Sequence, residues 1–162
     1  MVVKNEIERK RNEVPKLREE NRLISGNFKD NRGRLPWPTE KGVIVNPFGE
    51  QHHPVLKGVI VQNNGVDIST YSNAKVFSIF EGEVKKVFSF LGANYTVIVR
   101  HGEYLTLYQN LATVYVKPGD KIKAKQELGS LYSESNSKTS VLHLEIWEES
   151  SKLNPEMWLL KN

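Results

Sequence analysis

Hydrophobic spacing divides the chain into two unequal parts. From about residue 33 onward, apolar residues come in short alternating runs, and the sharpest run is "TSVLHLEIWEE" at 139–149. Leu142, Leu144 and Ile146 alternate there with Val141, His143, Glu145 and Trp147. A period of two marks a half-buried strand, with one face for a core and one left open. The open face carries an imidazole, a carboxylate and an indole, with Val141 as its odd apolar member. "GVIVNPFG", "KGVIVQNNGVDI", "AKVFSIFEGEVKKVFSF", "NYTVIVRHG", "YLTLYQNL" and "KIKAKQELGSLY" read as further strands, separated by Gly, Pro, Asn and Asp turn signals. No segment of this region has a helical period, which predicts an all-β domain of packed antiparallel sheets. "LNPEMWLL" predicts a short C-terminal turn whose Trp158, Leu159 and Leu160 cover a sheet edge.

Before residue 25 the pattern is different. "KNEIERKRNEVPKLREENRLI" is dense in Lys, Arg and Glu. Ile7, Val14, Asn21 and Phe28 fall at sevens, with Leu17 and Ile24 three positions after Val14 and Asn21, a weak heptad trace. Pro15 interrupts it, so the segment predicts a kinked or two-part helix. That helix is either a solvated surface element or the end of a longer coiled coil. Ser25, Gly26 and Asn27 read as its stop. The expected organisation is a charged N-terminal helix over 1–27 and a β domain over 28–162.

Composition narrows the function classes. A chain of 162 residues, 26% charged and 38% hydrophobic, suits one domain with a real core. No run of 18 apolar residues spans a membrane, and the opening "MVVKNEIERKRNEV" has no apolar signal core. Zero cysteines exclude disulfides and thiolate zinc sites. The net charge of +4 favours an anionic surface without demanding one. Lys and Arg are scattered and not stacked with aromatics, so no nucleic-acid partner is expected. "VKPGDKIKAKQELGSL" (116–131) has the Gly-Asp turn of lipoyl-type folds, but no lysine stands on an exposed hairpin for a carrier role.

Five segments carry a specific resemblance: "NPFGEQHHPVLKGVIVQNNGVDIST", "YLTLYQNL", "VKPGDKIKAKQELG", "VLHLEIW" and "LNPEMWL". In this order they resemble the LytM-type (lysostaphin-like) metallopeptidases over roughly residues 33–162. The resemblance implies a two-layer antiparallel β-sandwich with a central groove. It also implies enzymes that cut cell-wall peptides with one zinc, using His-x-x-x-Asp, His-x-His and Tyr-x-His motifs. Laid on this chain, the motifs are half erased. "NNGVD" keeps Asp67 but has Asn63 at the ligand histidine; "VLH" keeps His143 but has Val141 at a catalytic histidine; "YQN" keeps Tyr108 but has Asn110 at the other.

Catalytic zinc needs three good protein ligands and one open position, and an Asn amide holds it poorly. The expectation is therefore no cofactor, no catalytic residue and only a vestigial metal pair, Asp67 and His143. His52 and His53 lie on a loop that could approach the pair, and His101 in "HGEY" reads as a plain surface residue. A plainer account makes Asp67 a turn residue after Gly65 and His143 a satisfied half-buried histidine.

"GRLPWP" and "FGEQ" resemble the EnvC-like murein hydrolase activators, in which such a domain has lost its metal ligands and follows a coiled coil. That resemblance implies a bacterial envelope protein, in the periplasm, which binds a cell-wall amidase through the former active-site groove and relieves its autoinhibition during cell separation. A peptidoglycan-binding module and an active zinc endopeptidase are the competing expectations. Alternation places Val141, His143, Glu145 and Trp147 on one groove wall, and Tyr108 with Asn110 on another, leaving Leu105, Leu107 and Leu111 for the core. Asn63 and Asp67 complete the groove.

Overall fold

The computed structural model describes residues 24–89 and 94–161. The strands are β1 (Val43–Asn46), β2 (Gly49–His52), β3 (Ile60–Asn63), β4 (Val66–Tyr71), β5 (Lys75–Phe77) and β6 (Gly82–Ser89). They continue as β7 (Tyr95–His101), β8 (Tyr104–Val114), β9 (Lys121–Ile122), β10 (Glu127–Leu131), β11 (Thr139–Glu148) and β12 (Ser151–Leu153), followed by a 3-10 turn at Pro155–Met157. The main sheet runs in the order β1-β4-β11-β8-β7-β6-β9, with β12 on β11 and with β10 bridging β5 and β8. β2 and β3 form a separate hairpin. The protein is thus mainly β and its strands pair antiparallel, as the alternating runs predict.

β11 shows why. Leu142, Leu144 and Ile146 are fully buried on one face and meet Val66, Ile68, Val97 and Val99 in a single core. The β5–β10 ribbon closes over that core with Val76, Leu128 and Leu131. Gly65 lets the β3–β4 turn close onto β11, because a Cβ there would lie 2.0 Å from the Leu144 carbonyl oxygen. No helix among the described residues is long and apolar enough to cross a membrane.

β8 departs from the expected alternation. Its core-facing residues are Tyr104, Thr106, Tyr108 and then Leu111, whereas Leu105 and Leu107 are half-buried on the open face. The step from 108 to 111 is a bulge: β7 pairs Tyr95 with Leu111 and Thr96 with Gln109, leaving Asn110 without a partner. Asn110 adopts φ 90, a conformation that Asn tolerates better than most residues. The extra residue flips the face on which each following side chain falls.

The N-terminal end also differs from expectation. The charged segment up to residue 23 lies outside the described residues, but residues 24–30 are helical, so Ser25, Gly26 and Asn27 lie inside a helix and do not stop it. Phe28 supplies the reason. It is fully buried, with its ring 4.6 Å from Tyr104, 5.0 Å from His101, 5.2 Å from Trp158 and 5.5 Å from Phe80. His101, expected on the surface, is fully buried in this cluster, between the Glu81 carbonyl at 2.7 Å and Thr106 Oγ1 at 2.8 Å. At the C-terminus Trp158 and Leu159 are buried as predicted, while Leu160 is exposed. The parallel bridge between Leu35 and Leu159 turns Leu160 outward.

Candidate functional site

The open face of β11 and its neighbours carries a continuous chain of hydrogen-bonded polar side chains. Antiparallel register places His143 opposite Asp67 on β4 and opposite Gln109 on β8. His143 Nδ1 is 2.7 Å from Asp67 Oδ1, and its Nε2 is 2.7 Å from Glu145 Oε2. The outer carboxylate oxygens are occupied in turn. Asn46 Nδ2 donates to Asp67 Oδ2 at 2.9 Å, and Trp147 Nε1 donates to Glu145 Oε1 at 2.7 Å. A continuous chain therefore runs Asn46–Asp67–His143–Glu145–Trp147.

Electrostatics fix the protonation of this chain. Burial alone pulls His143 down, but hydrogen bonds to Asp67 and Glu145, with their negative charges, push it up to about 9. The bond to His143 lowers Asp67 against its own burial, with help from Asn46. Glu145, which burial raises, is brought below its usual range by His143 and Trp147. At neutral pH the imidazole is cationic and both ring nitrogens donate. The trio carries a net charge of −1, with a proton held between Asp67 and His143.

Two clefts flank the Asp67–His143 pair. One, of about 490 Å³, is bounded by Asn94, Gln109, Asn110 and Val141; the other, of about 300 Å³, by Asn46, His52, Val61, Gln62 and Asn63. Each position has a local cause. The bulge aims Asn110 so that its Nδ2 donates to the Val141 carbonyl at 2.7 Å, and its Oδ1 accepts from Asn94. Asn63 Oδ1 caps the turn by accepting from Gly65 N at 3.2 Å, and its Nδ2 donates to the carbonyls of Asn46 and Pro47. His53 Nδ1 accepts from Val55 N and Leu56 N, so it braces its own loop, while His52 reaches the smaller cleft.

The structure thus brings together Asn63, Asp67, Asn110, Val141 and His143 around the clefts, with Glu145 and Trp147 on the same strand face. Tyr108 does not belong with them. It is fully buried, and its hydroxyl accepts from Ile79 N at 3.0 Å and from Thr106 Oγ1 at 3.0 Å. The bulge is the cause, because it breaks the alternation that would have put Tyr108 and Asn110 on one face. Gln109, Asn94 and Asn46 were missed. The register across from His143 points to Gln109, but only once β8 is phased correctly.

A zinc ion does not fit this donor set. Both nitrogens of His143 face carboxylates, both Asp67 oxygens accept hydrogen bonds, and Asn63 spends its amide on backbone. Among the described residues, no three or more His, Cys, Asp or Glu side chains are arranged to hold a metal ion.

Comparison with known proteins gives a consistent family. The profile of peptidase family M23 matches residues 61–155. An uncharacterized metalloprotease of Haemophilus influenzae is 31% identical over 128 residues, covering 76% of this chain and 27% of that protein. The murein hydrolase activator NlpD of Escherichia coli is 28% identical, covering 76% of this chain and 30% of NlpD. The murein hydrolase activator EnvC of the same organism is 26% identical, covering 79% and 29%. The chain therefore spans about three tenths of these relatives' length. Helicobacter pylori Csd3 superposes with a TM-score of 0.66 at 24% identity, over 79% of this chain and 35% of Csd3. The antimicrobial peptidase lysostaphin of Staphylococcus simulans superposes with a TM-score of 0.58 at 22% identity, over 77% and 52%. These two likenesses establish the lysostaphin-type fold.

Proposed function

The chain belongs to peptidase family M23, and from that premise we propose that it is a non-catalytic activator of a cell-wall hydrolase, an N-acetylmuramoyl-L-alanine amidase. One observation carries this reading: the His143 imidazolium is bonded at both nitrogens by Asp67 and Glu145, which leaves no ligand lone pair for a metal. The two relatives named as murein hydrolase activators support it. Asn110 and Val141 stand where the resemblance expects catalytic histidines, and neither moves a proton. A missing general acid or base costs about 10²–10⁴-fold each. In this reading the protein works in the bacterial envelope, on the periplasmic side, and relieves the autoinhibition of its partner during cell separation.

The open face suits a partner helix. Val141, 38% exposed, and the half-buried Trp147, whose indole ends the polar chain, offer apolar anchors along the open face of β11. Buried aromatic anchors at the centre of an interface carry about 2 kcal/mol or more. Trp147→Ala is expected to weaken amidase binding about tenfold or more and to abolish activation in a dye-release assay on purified sacculi. Val141→Lys is expected to do the same through a surface position. Charge reversal at Lys10 or Arg11 leaves binding unchanged. Full activation by folded Trp147→Ala protein excludes this face as the contact.

A second reading, direct peptidoglycan binding, draws on the amides of Asn94, Gln109 and Asn110 around the larger cleft. Under it, Trp147→Ala reduces co-sedimentation with sacculi, and amidase titration shows no change.

A further inference from the structure

Edge strands are the exposed ends of hydrogen-bonded ladders, and proteins guard them with short length, charge or proline. In the main sheet, β5, β9 and β12 each pair with a single neighbour, and each carries a lysine: Lys75, Lys121 and Lys152. β1 also pairs with a single neighbour, β4, but its sequence is Val-Ile-Val-Asn. Val43 is 66% exposed and Val45 50% exposed. Among the described residues, no backbone hydrogen bond reaches Val43, Ile44 or Val45 from outside the β1–β4 ladder. One edge is apolar and open while the others are guarded.

The surroundings of β1 are shaped as well. Two clefts of about 480 and 650 Å³ adjoin it and share Trp37, Gly42 and Leu160. The larger also exposes Val43, Ile44 and Met157. Lys41 and Lys125 line the smaller cleft and Lys161 the larger, facing Glu40 and Glu156. Three lysines stand against two glutamates, so the rim carries a net charge of +1.

We propose that the open edge of β1 accepts an added strand from a partner protein: an extended segment with apolar residues at alternate positions and acidic residues at its ends. Backbone pairing with β1 supplies the affinity. Alternate side chains enter the Trp37–Leu160 clefts, and the acidic ends meet Lys41, Lys125 and Lys161. This edge adjoins the His143 face, since Val43 and Val141 both lie opposite Ser69 and Asn46 bonds Asp67, but the proposal does not depend on the activity proposed for that face.

The test uses the full chain and a synthetic peptide library. Its members alternate Val or Ile with Thr and are flanked by Asp or Glu, and binding is read by fluorescence polarisation. Binding members are expected to lose about tenfold or more affinity for the Val43→Lys/Val45→Lys double variant. These valines are exposed, so folding, checked by circular dichroism, is retained. N-methylation of alternate peptide amides is expected to weaken binding comparably, which a purely side-chain contact would not show. Lys-flanked peptides bind more weakly, and Trp147→Ala leaves binding unchanged. The proposal is overturned if no member binds, if the double variant binds like the wild type, or if N-methylation has no effect. It is equally overturned if the wild type is a dimer that the double variant dissolves, because a second copy of the chain then occupies the edge.

Discussion

At one end of the sheet His101 is packed against the Phe28 ring and touches only neutral oxygens, from Glu81 and Thr106. On the open face His143 is wedged between two carboxylates. His101 is fully buried and His143 half-buried, and their protonation goes opposite ways. Burial pushes His101 down to about 4, with the Glu81 carbonyl opposing only in part. For His143 the carboxylates overcome burial and hold it up to about 9. The same residue type serves as a neutral brace in one region and as a fixed cation in the other. The difference lies in whether the neighbours can pay for a buried charge.

The regions should therefore fail differently when they are cut. The largest effect is expected at the ring cluster, where Phe28 is enclosed by Phe80, His101, Tyr104 and Trp158. Phe28→Ala removes a fully buried ring and should cost about 3–5 kcal/mol. For a domain of this size that lowers the melting temperature by roughly 10 °C. Val141→Ala, on the open face, should cost about 1 kcal/mol or less. Thermal melts of the two variants compare the regions directly. Equal losses would mean that the helix end at Phe28 does not anchor the domain.

pH sharpens the same contrast. His101 is neutral in the folded state and has an ordinary value near 6.5 when unfolded. As pH falls from 6.5 to about 4, the unfolded chain takes up a proton that the folded one refuses, so stability drops. The loss is up to roughly 3 kcal/mol. His143 has the opposite sign. Its contribution is complete below 6.5 and is lost as pH rises through about 9. Being partly solvated, it should lose only about 1–2 kcal/mol. The carboxylates Asp67 and Glu145 have lowered values, so their contributions disappear only at the acid extreme. Denaturant titrations at stepped pH should show a shallower acid limb in His101→Gln and a shallower alkaline limb in His143→Gln. Unchanged limbs would break the comparison.

The sequence disclosed these regions unequally. β11 was legible because its alternation runs unbroken from Val141 to Trp147, and one phase assigns every side chain to a face. β8 was not, because a single extra residue, Asn110, reverses the phase inside the strand. That slip put Tyr108 on the wrong face and hid Gln109. The family resemblance singled out Asn63, Asn110 and Val141, and all three line the clefts. It did not disclose the Asp67–His143–Glu145 chain, since spacing does not say which oxygen a ring nitrogen meets. His101 was misread for a related reason: it is covered by the ring of Phe28, distant in sequence, which Trp158 packs against in turn.

The smallest effect expected concerns metal, and it follows from the proton at His143. Asn63→His supplies a third imidazole-or-carboxylate ligand beside Asp67 and His143, so by donor count alone zinc should bind. The ion must first displace the proton that links His143 Nδ1 to Asp67, and that proton leaves only near pH 9. Glu145 would keep its bond to the other ring nitrogen, which is the usual support for a metal-bound histidine, so it raises the competition without blocking the geometry. Zinc affinity of Asn63→His should therefore stay weak at neutral pH and rise by roughly tenfold per pH unit toward 9, one proton being released per ion. Titration calorimetry in two buffers of different ionisation enthalpy counts that proton. The variant should still leave sacculi intact, because Val141 and Asn110 supply no acid or base. Tight zinc binding at pH 7 with no proton release would show that His143 is not held as a cation, and the contrast with His101 would fall with it.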